Sequence, residues 1–287
     1  MKLLLDMHTE QENTEVMNTF ERRTLTSQQG DIDPNDIKVW GFDLDDTLAE
    51  SKQSIGAKMG EQLMQLLAIR NVAIITGGTW EQVDKQVISR LPDPDPESLK
   101  RMHPFPTCGT RSLDYVDGVW EEVYAENIDP EHKRLIIETL ETAAKEEGLW
   151  VPKPYGEIIE DRGSQITFSA LGQQAPPEIK KGWDTNGERR ARLIANAAER
   201  LGDLEYDLRS GGASSVDVTQ RGVDKAYGIR KLSERLNHSY REIGFVGDQL
   251  SPGGNDYPAR TVTGVKTFEV SNPDDTIQLI EQIVAAA

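Results

Sequence analysis

A single cysteine, Cys108, stands in 287 residues, so no internal disulfide can form and a reducing compartment is expected. No stretch approaches the ~20 consecutive apolar residues that a membrane span needs. The Leu3-Leu4-Leu5 run near the start is short and passes into acidic and polar residues. It lacks the basic flank and length of a signal peptide, so a cytoplasmic location without a membrane partner is the expectation. Positive charge is also scarce. Lysine and arginine number 32 against 49 aspartates and glutamates, for a formal charge of −17. Nucleic acid is therefore excluded as a partner, because binding its phosphates takes a basic footprint. Histidine is limited to His8, His103, His132 and His238, with no metal-ligand spacing, and the five tryptophans form no stripe. No Gly-x-x-x-x-Gly-Lys loop is present, which removes the nucleotide-switch class. An acidic protein that handles anions must supply positive charge locally, through a metal, a lysine or helix N-termini.

What is present has a clear order. Residues 1–36 are rich in Glu, Gln, Asn, Thr and Asp and read as an appendage free to be flexible. The globular pattern starts at Ile37. Lys38 to Leu44 is an apolar run ending in acids, the signature of a buried parallel strand. Ile55, Met59, Leu63, Leu66 and Leu67 follow at helical spacing. Asn71–Ile75 forms a second strand running into Gly77-Gly78, and Thr79–Leu91 predicts a helix. Strand alternating with helix implies a doubly wound parallel-sheet α/β core.

The middle of the chain differs. Asp117-Gly118 marks a hairpin turn, and 130–147 predicts a helix. Short strands at 157–159 and 165–171, a helix over 186–201 and a strand at 214–219 follow. This α+β unit is placed at 124–216, inserted as a cap between core segments 37–123 and 217–287. After it, a helix from Lys225 and a strand over 242–246 return to the core pattern. Residues 261–270 hold the last strand, and a closing helix is capped by Asn272-Pro273.

The chemistry concentrates at strand ends. Asp43 and Asp45, spaced by one residue in Phe42-Asp43-Leu44-Asp45-Asp46-Thr47-Leu48, project to the same side. So close a pair repels unless a cation lies between. Gly247-Asp248 ends another strand and leads into a Gly-rich loop. Ligands in open parallel sheets bind beyond the carboxyl ends of the strands, where Asp43, Asp45 and Asp248 would meet. An all-oxygen set of that kind suits Mg²⁺ rather than zinc. Thr76 and Thr79 at a strand end, and Lys225 at a helix start, read equally as turn and surface residues.

Asp-x-Asp-x-Thr, a strand-end Thr, Lys225, and Gly-Asp with a downstream Asn-Asp together resemble the four-motif set of the haloacid dehalogenase superfamily. Within it the chain resembles the large-cap (type IIB) branch, and the eukaryotic-type phosphomannomutases in particular. Gly77-Gly78-Thr79, Gly211-Gly212-Ala213-Ser214-Ser215-Val216-Asp217-Val218 and Pro252-Gly253-Gly254-Asn255-Asp256 carry that resemblance over about 38–285. It implies Asp43 as nucleophile and Asp45 as acid/base, with Thr76 or Thr79 and Lys225 holding the phosphoryl group. Mg²⁺ is implied on Asp43, Asp45 (through its main-chain carbonyl) and Asp248, with Asn255 and Asp256 on the metal side. Ser215 and Asp217 match positions that contact a sugar phosphate.

The resemblance also has gaps. Tyr155 and Gln173 stand where two phosphate-binding arginines are expected, Arg162 remains, and Lys52 replaces an arginine of the core. A lysine does not reproduce a bidentate fork. The expected function is therefore a Mg²⁺-dependent phosphohydrolase of a sugar phosphate, with the phosphomannomutase or phosphoglucomutase reaction as alternative. A homodimer is compatible with the sequence.

Overall fold

The computed structural model describes residues 24–287, so the first 23 residues of the segment read as an appendage lie outside them. The described chain opens with a small hairpin of β1 (Leu25–Ser27) and β2 (Gly30–Ile32). There follow β3 (Val39–Phe42), α1 (Ala57–Leu67), β4 (Asn71–Ile75), α2 (Trp80–Gln86), α3 (Pro96–Leu99) and β5 (Met102–Phe105). A second hairpin, β6 (Arg111–Val116) and β7 (Val119–Ala125), precedes the cap. The cap holds α4 (Pro130–Glu146), β8 (Ile159–Asp161), β9 (Gln165–Ser169), α5 (Pro177–Trp183), α6 (Glu188–Leu201), β10 (Tyr206–Ser210) and β11 (Ser215–Gln220). The chain then returns through α7 (Lys225–Leu236), β12 (Ile243–Gly247), α8 (Tyr257–Thr261), β13 (Lys266–Glu269) and α9 (Pro273–Ala286).

The core sheet is parallel throughout, in the order β13-β12-β3-β4-β5. Alternation along β3 explains its two-sided burial. Trp40 and Phe42 face the α1 and α9 side with Leu63, Leu66 and Ile280, whereas Val39 faces the α7 side with Ile229 and Leu232. Sheet burial on both faces requires helices on both faces, as a doubly wound fold provides. The β1–β2 hairpin lies against the β13 edge. Gln28 donates its N–H to the Thr267 carbonyl at 2.8 Å, and Gln29 Oε1 accepts from Thr267 N–H at 2.9 Å. Paired in this way, the edge cannot recruit a foreign strand.

The cap is an antiparallel sheet in the order β10-β11-β9-β8, with α4 and α6 on one face. The period of two sorts its residues. Ile166, Phe168, Val216 and Val218 pack under Leu140 and Leu193. Gln165, Thr167, Ser169, Ser215 and Asp217 line the opposite face, and the first three are at most 2% exposed. A polar sheet face this well covered must have something over it, and the core supplies the cover. Gln165 Nε2 donates to the Gly77 carbonyl at 3.4 Å, and Ser164 Oγ lies 2.5 Å from Thr110 Oγ1.

Local departures from the sequence pattern have physical causes. The helix predicted over 79–91 ends at Gln86, whose carbonyl accepts from the Ile55 N–H at 2.9 Å. A 3-10 turn, Ile88–Arg90, follows. β5 carries a proline that the strand pattern disfavours, but β5 is the sheet's outer strand, where a missing donor is tolerated. The segment 261–270 divides between the end of α8 and β13. Among the described residues no helix is long and apolar enough to cross a membrane.

Candidate active site

β3 delivers Asp43 to the carboxyl edge of the sheet, where its N–H continues the ladder to the Val246 carbonyl at 2.9 Å. β12 ends beside it and delivers Asp248. The loop after β12 folds back so that Asp256 Oδ2 accepts from the Gln249 N–H at 3.2 Å. Among the described residues, Asp43, Asp248 and Asp256 have ligand oxygens within 4.8 Å of one another. Asp43 is 4% exposed and Asp256 fully buried. Asp248 Oδ1 is buried with no hydrogen-bond partner. Three carboxylates this close, one with an orphaned oxygen, fit a hard divalent cation with oxygen ligands. Asp45 and Asn255 stand outside this cluster. Asp45 Oδ1 accepts from the Lys52 N–H at 2.6 Å, and Asn255 is exposed on the loop.

Burial lifts the Asp43 carboxyl from 3.8 to about 8, with Asp256 and Asp45 adding to the rise and Lys225 opposing it. Burial and Asp256 likewise push Asp248 up to about 6. Lys225 is placed by local helix chemistry. Asp224 is the N-cap of α7 and accepts from the Tyr227 N–H at 3.0 Å, which fixes the first turn. The Lys225 side chain is 2% exposed. Its Nζ donates to Asp43 and to the Ile75 carbonyl (2.6 Å), and lies 3.1 Å from Asp256 Oδ1. Burial works against its charge, but Asp256 and Asp43 outweigh burial and hold it more firmly protonated than an ordinary lysine.

The two candidate threonines separate. Thr76 is 3% exposed at the end of β4, and its Oγ1 accepts from the Gly78 N–H at 3.0 Å. Thr79 caps α2 instead. Its Oγ1 accepts from Gln82 N–H, and its own N–H donates to Gln82 Oε1 in a reciprocal capping box. Cys108 lies in the turn after β5, within a run of three left-handed residues, Thr107, Cys108 and Gly109. Burial pushes its thiol up to about 12, so it is no nucleophile at neutral pH.

The cap adds a second set of residues. Asp217 accepts from Thr167 Oγ1 at 2.7 Å, and burial raises its carboxyl even with Arg162 nearby. Ser215 sits two residues before it on the same face of β11. Arg162 is only 7% exposed and is fully engaged: Nη1 donates to the Gly77 carbonyl at 2.7 Å, and Nε and Nη2 meet Glu160. Lys52 Nζ reaches across from the core to Gln173 Oε1 at 3.2 Å. Lys180, on α5, donates to the Gln173 carbonyl at 2.8 Å. Burial first, then Lys52 beside it, pull the Lys180 ammonium down to about 8, while Asp45 pulls the other way. Gln173 Nε2 is buried without a partner. Gln173 was singled out from sequence only as a missing arginine, and Lys180 was not singled out at all. No local pattern marks Lys180, because α5 buries none of its residues and opens on Pro177 after a proline N-cap, Pro176.

A parallel α/β core with carboxylates at its strand ends and an antiparallel cap above them defines a phosphoryl-transfer protein of the haloacid dehalogenase superfamily. The fold is shared with a haloacid dehalogenase-like hydrolase from Bacteroides thetaiotaomicron, at a TM-score of 0.56 and 14% identity over 86% of this chain and 99% of that one. It is shared also with the N-terminally truncated IMP-nucleotidase of Plasmodium falciparum, at a TM-score of 0.65, 19% identity, and 88% and 72% coverage. The sequence model for eukaryotic phosphomannomutase matches residues 109–286, and the chain belongs to that family. A phosphomannomutase of Encephalitozoon cuniculi is 26% identical over 251 residues, spanning 85% of this chain and 92% of its own. These relationships favour the mutase alternative over a plain phosphohydrolase.

Proposed function

We propose that this chain moves a phosphoryl group between the two ends of a hexose phosphate through an aspartyl phosphate on Asp43, with hydrolysis as the competing outcome. The catalytic core is taken as 37–123 with 217–287, and residues 124–216 as the cap. Asp43 attacks phosphorus, and the bond to the sugar oxygen breaks as Asp45 gives that oxygen its proton. The carboxylate so formed on Asp45 then takes a proton from an acceptor hydroxyl of the sugar. That oxygen attacks phosphorus and releases Asp43. Lys225 favours the Asp43 anion and offsets part of the cost of burial, and with Thr76 it faces the phosphoryl oxygens. Mg²⁺ on Asp43, Asp248 and Asp256 would supply charge neutralisation to the phosphoryl group. Thr167, Ser215 and Asp217 offer the hydroxyl and carboxylate partners that sugar hydroxyls need.

The observation that favours a mutase over a hydrolase is the meeting of Lys52, Lys180 and the unpartnered Gln173 amide beside Asp45. Two ammonium groups and an unpartnered buried donor, with Asp45 the acid beside them, are an unfavourable arrangement. A phosphate on the far end of the sugar resolves it. Retaining that end keeps the intermediate in place while it turns round. The test is product partition from mannose 1-phosphate or glucose 1-phosphate with a hexose bisphosphate activator. The 6-phosphate should exceed free phosphate, and Lys180→Met should shift the ratio toward free phosphate by about tenfold, the loss typical of one charged contact. Mainly free phosphate from the unmodified protein would sink the mutase reading and leave the hydrolase.

A further inference from the structure

Both chain crossings between core and cap converge on the helix that carries Lys225. The first crossing leaves β7 and passes through Glu126. The Glu126 N–H donates to the Thr110 carbonyl at 2.8 Å, and its carboxylate faces α7. There it accepts from the Tyr227 hydroxyl through Oε2 and meets Lys231 Nζ through Oε1 at 2.8 Å. Tyr227 and Lys231 are four apart on α7 and share one side of it. The Lys231 ammonium also lies 5.3 Å from the Tyr124 ring and 5.4 Å from the Tyr227 ring, within cation–π range. Tyr124 in turn donates to the Gly109 carbonyl at 2.8 Å. The second crossing ends at Asp224, the N-cap of the same helix. Arg209 of the cap donates to the Val223 carbonyl at 2.8 Å and lies 3.7 Å from Asp224.

Lys225 belongs to the same helical turn as Tyr227. Its Nζ is held by three oxygens, on Asp43, Ile75 and Asp256, so a small rotation of α7 changes all three contacts together. Misplacement by ~1 Å of a group at the reacting atoms costs on the order of a hundredfold in rate. The cap side is fixed by separate contacts: Arg162 to the Gly77 carbonyl, and Ser164 to Thr107 and Thr110. Residue 126 lies between those contacts and α7. We propose that Glu126 is a positioning residue, a brace through which cap closure sets Lys225 against Asp43. It rests on the phosphoryl-transfer reading above and touches neither substrate nor the acid cluster. Stability does not explain the arrangement, because Glu126 is 37% and Lys231 28% exposed, and ion pairs so open to solvent add little.

The experiment uses the full chain with Mg²⁺, comparing mannose 1-phosphate with p-nitrophenyl phosphate, an ester without a sugar for the cap to close upon. Glu126→Gln should lower kcat on mannose 1-phosphate about tenfold with KM within about twofold, and should lower the p-nitrophenyl phosphate rate far less. Tyr227→Phe should do the same. The double variant should be no slower than either single one, because both remove one contact. Melting temperatures check that all three variants fold. Equal losses on both esters, additive losses, or an unchanged kcat on mannose 1-phosphate would each overturn the brace. Asp43→Asn separates the two readings. If that variant is inert while Glu126→Gln is unimpaired, the brace alone fails; if Asp43→Asn still turns over, the phosphoryl-transfer reading falls and the brace with it.

Discussion

Asp43 carries the conflict on which the site is built. It must be an anion to attack phosphorus, yet burial holds its proton up to about pH 8, and Asp248 beside it to about pH 6. The sign follows from linkage. A carboxyl whose pKa is higher in the folded than in the unfolded protein stabilises the fold fully below its ordinary pKa, near 3.8. That contribution is lost progressively as pH rises above 3.8, and the loss is complete at about 6 for Asp248 and about 8 for Asp43. A cation entering the cluster displaces the same protons, so its affinity should rise by up to about tenfold per pH unit for each proton released. The melting-temperature gain from a fixed Mg²⁺ concentration should therefore be larger at pH 8 than at pH 6, and Asp43→Asn should lose most of that pH dependence. An equal gain at both pH values would exclude Asp43 as a ligand.

At the scale of the element, α7 matters most, because it joins the core–cap crossings to the acid cluster. It approaches the sheet closely at Gly228. A methyl there would sit 2.6 Å from Ile75 Cγ2 and 3.0 Å from the Cys108 carbonyl. Alanine in place of a helical glycine gains about 1 kcal/mol of helix propensity. Here the neighbours are a fully buried branched side chain and a main-chain oxygen in a left-handed turn, neither of which can move aside. Overpacking costs about 1–3 kcal/mol, so it wins. Gly228→Ala should lower the melting temperature and also depress kcat, because α7 must shift outward and draw Lys225 with it. A variant at least as stable and as active as the parent would show that the turn at Cys108 yields.

For the whole molecule, the excess of acid dominates. A formal charge of −17 repels itself, most of all in the compact folded chain. The screening length falls from about 14 Å at 0.05 M salt to about 4 Å at 0.5 M. Potassium chloride over that range should therefore raise the melting temperature, although it weakens exposed pairs such as Lys58–Glu281. A fall in melting temperature across the series would mean that the ion pairs outweigh the net repulsion.

Much of this was legible in the chain because the signals were local. The runs at β3 and β12 are apolar on both faces, so they could only be buried parallel strands, and the acids after them had to lie at the sheet's carboxyl edge. The starts of α7 and α9 were legible through their first residues, and the β6–β7 turn through Asp117-Gly118. Other features lay in no local pattern. β5 contains Pro104 and became a strand because β4 offered an edge to pair with. Thr76 and Thr79 are both strand-end threonines by sequence; a capping box occupying one side chain separated them. Gln173 read as an arginine lost, but folding sets its side-chain oxygen on Lys52 of the core and its main-chain carbonyl on Lys180 of the cap. The physical division is one of range. Apolar periodicity and capping act over a few residues and are written in sequence order, so they determined the fold class and put Asp43 and Asp248 at one sheet edge, whereas the fold-back of the loop after β12 brought Asp256, not Asp45, into the cluster. The cation pair, the committed Arg162 and the Glu126 brace join side chains far apart in the chain, so only closure of the cap over the core decided them.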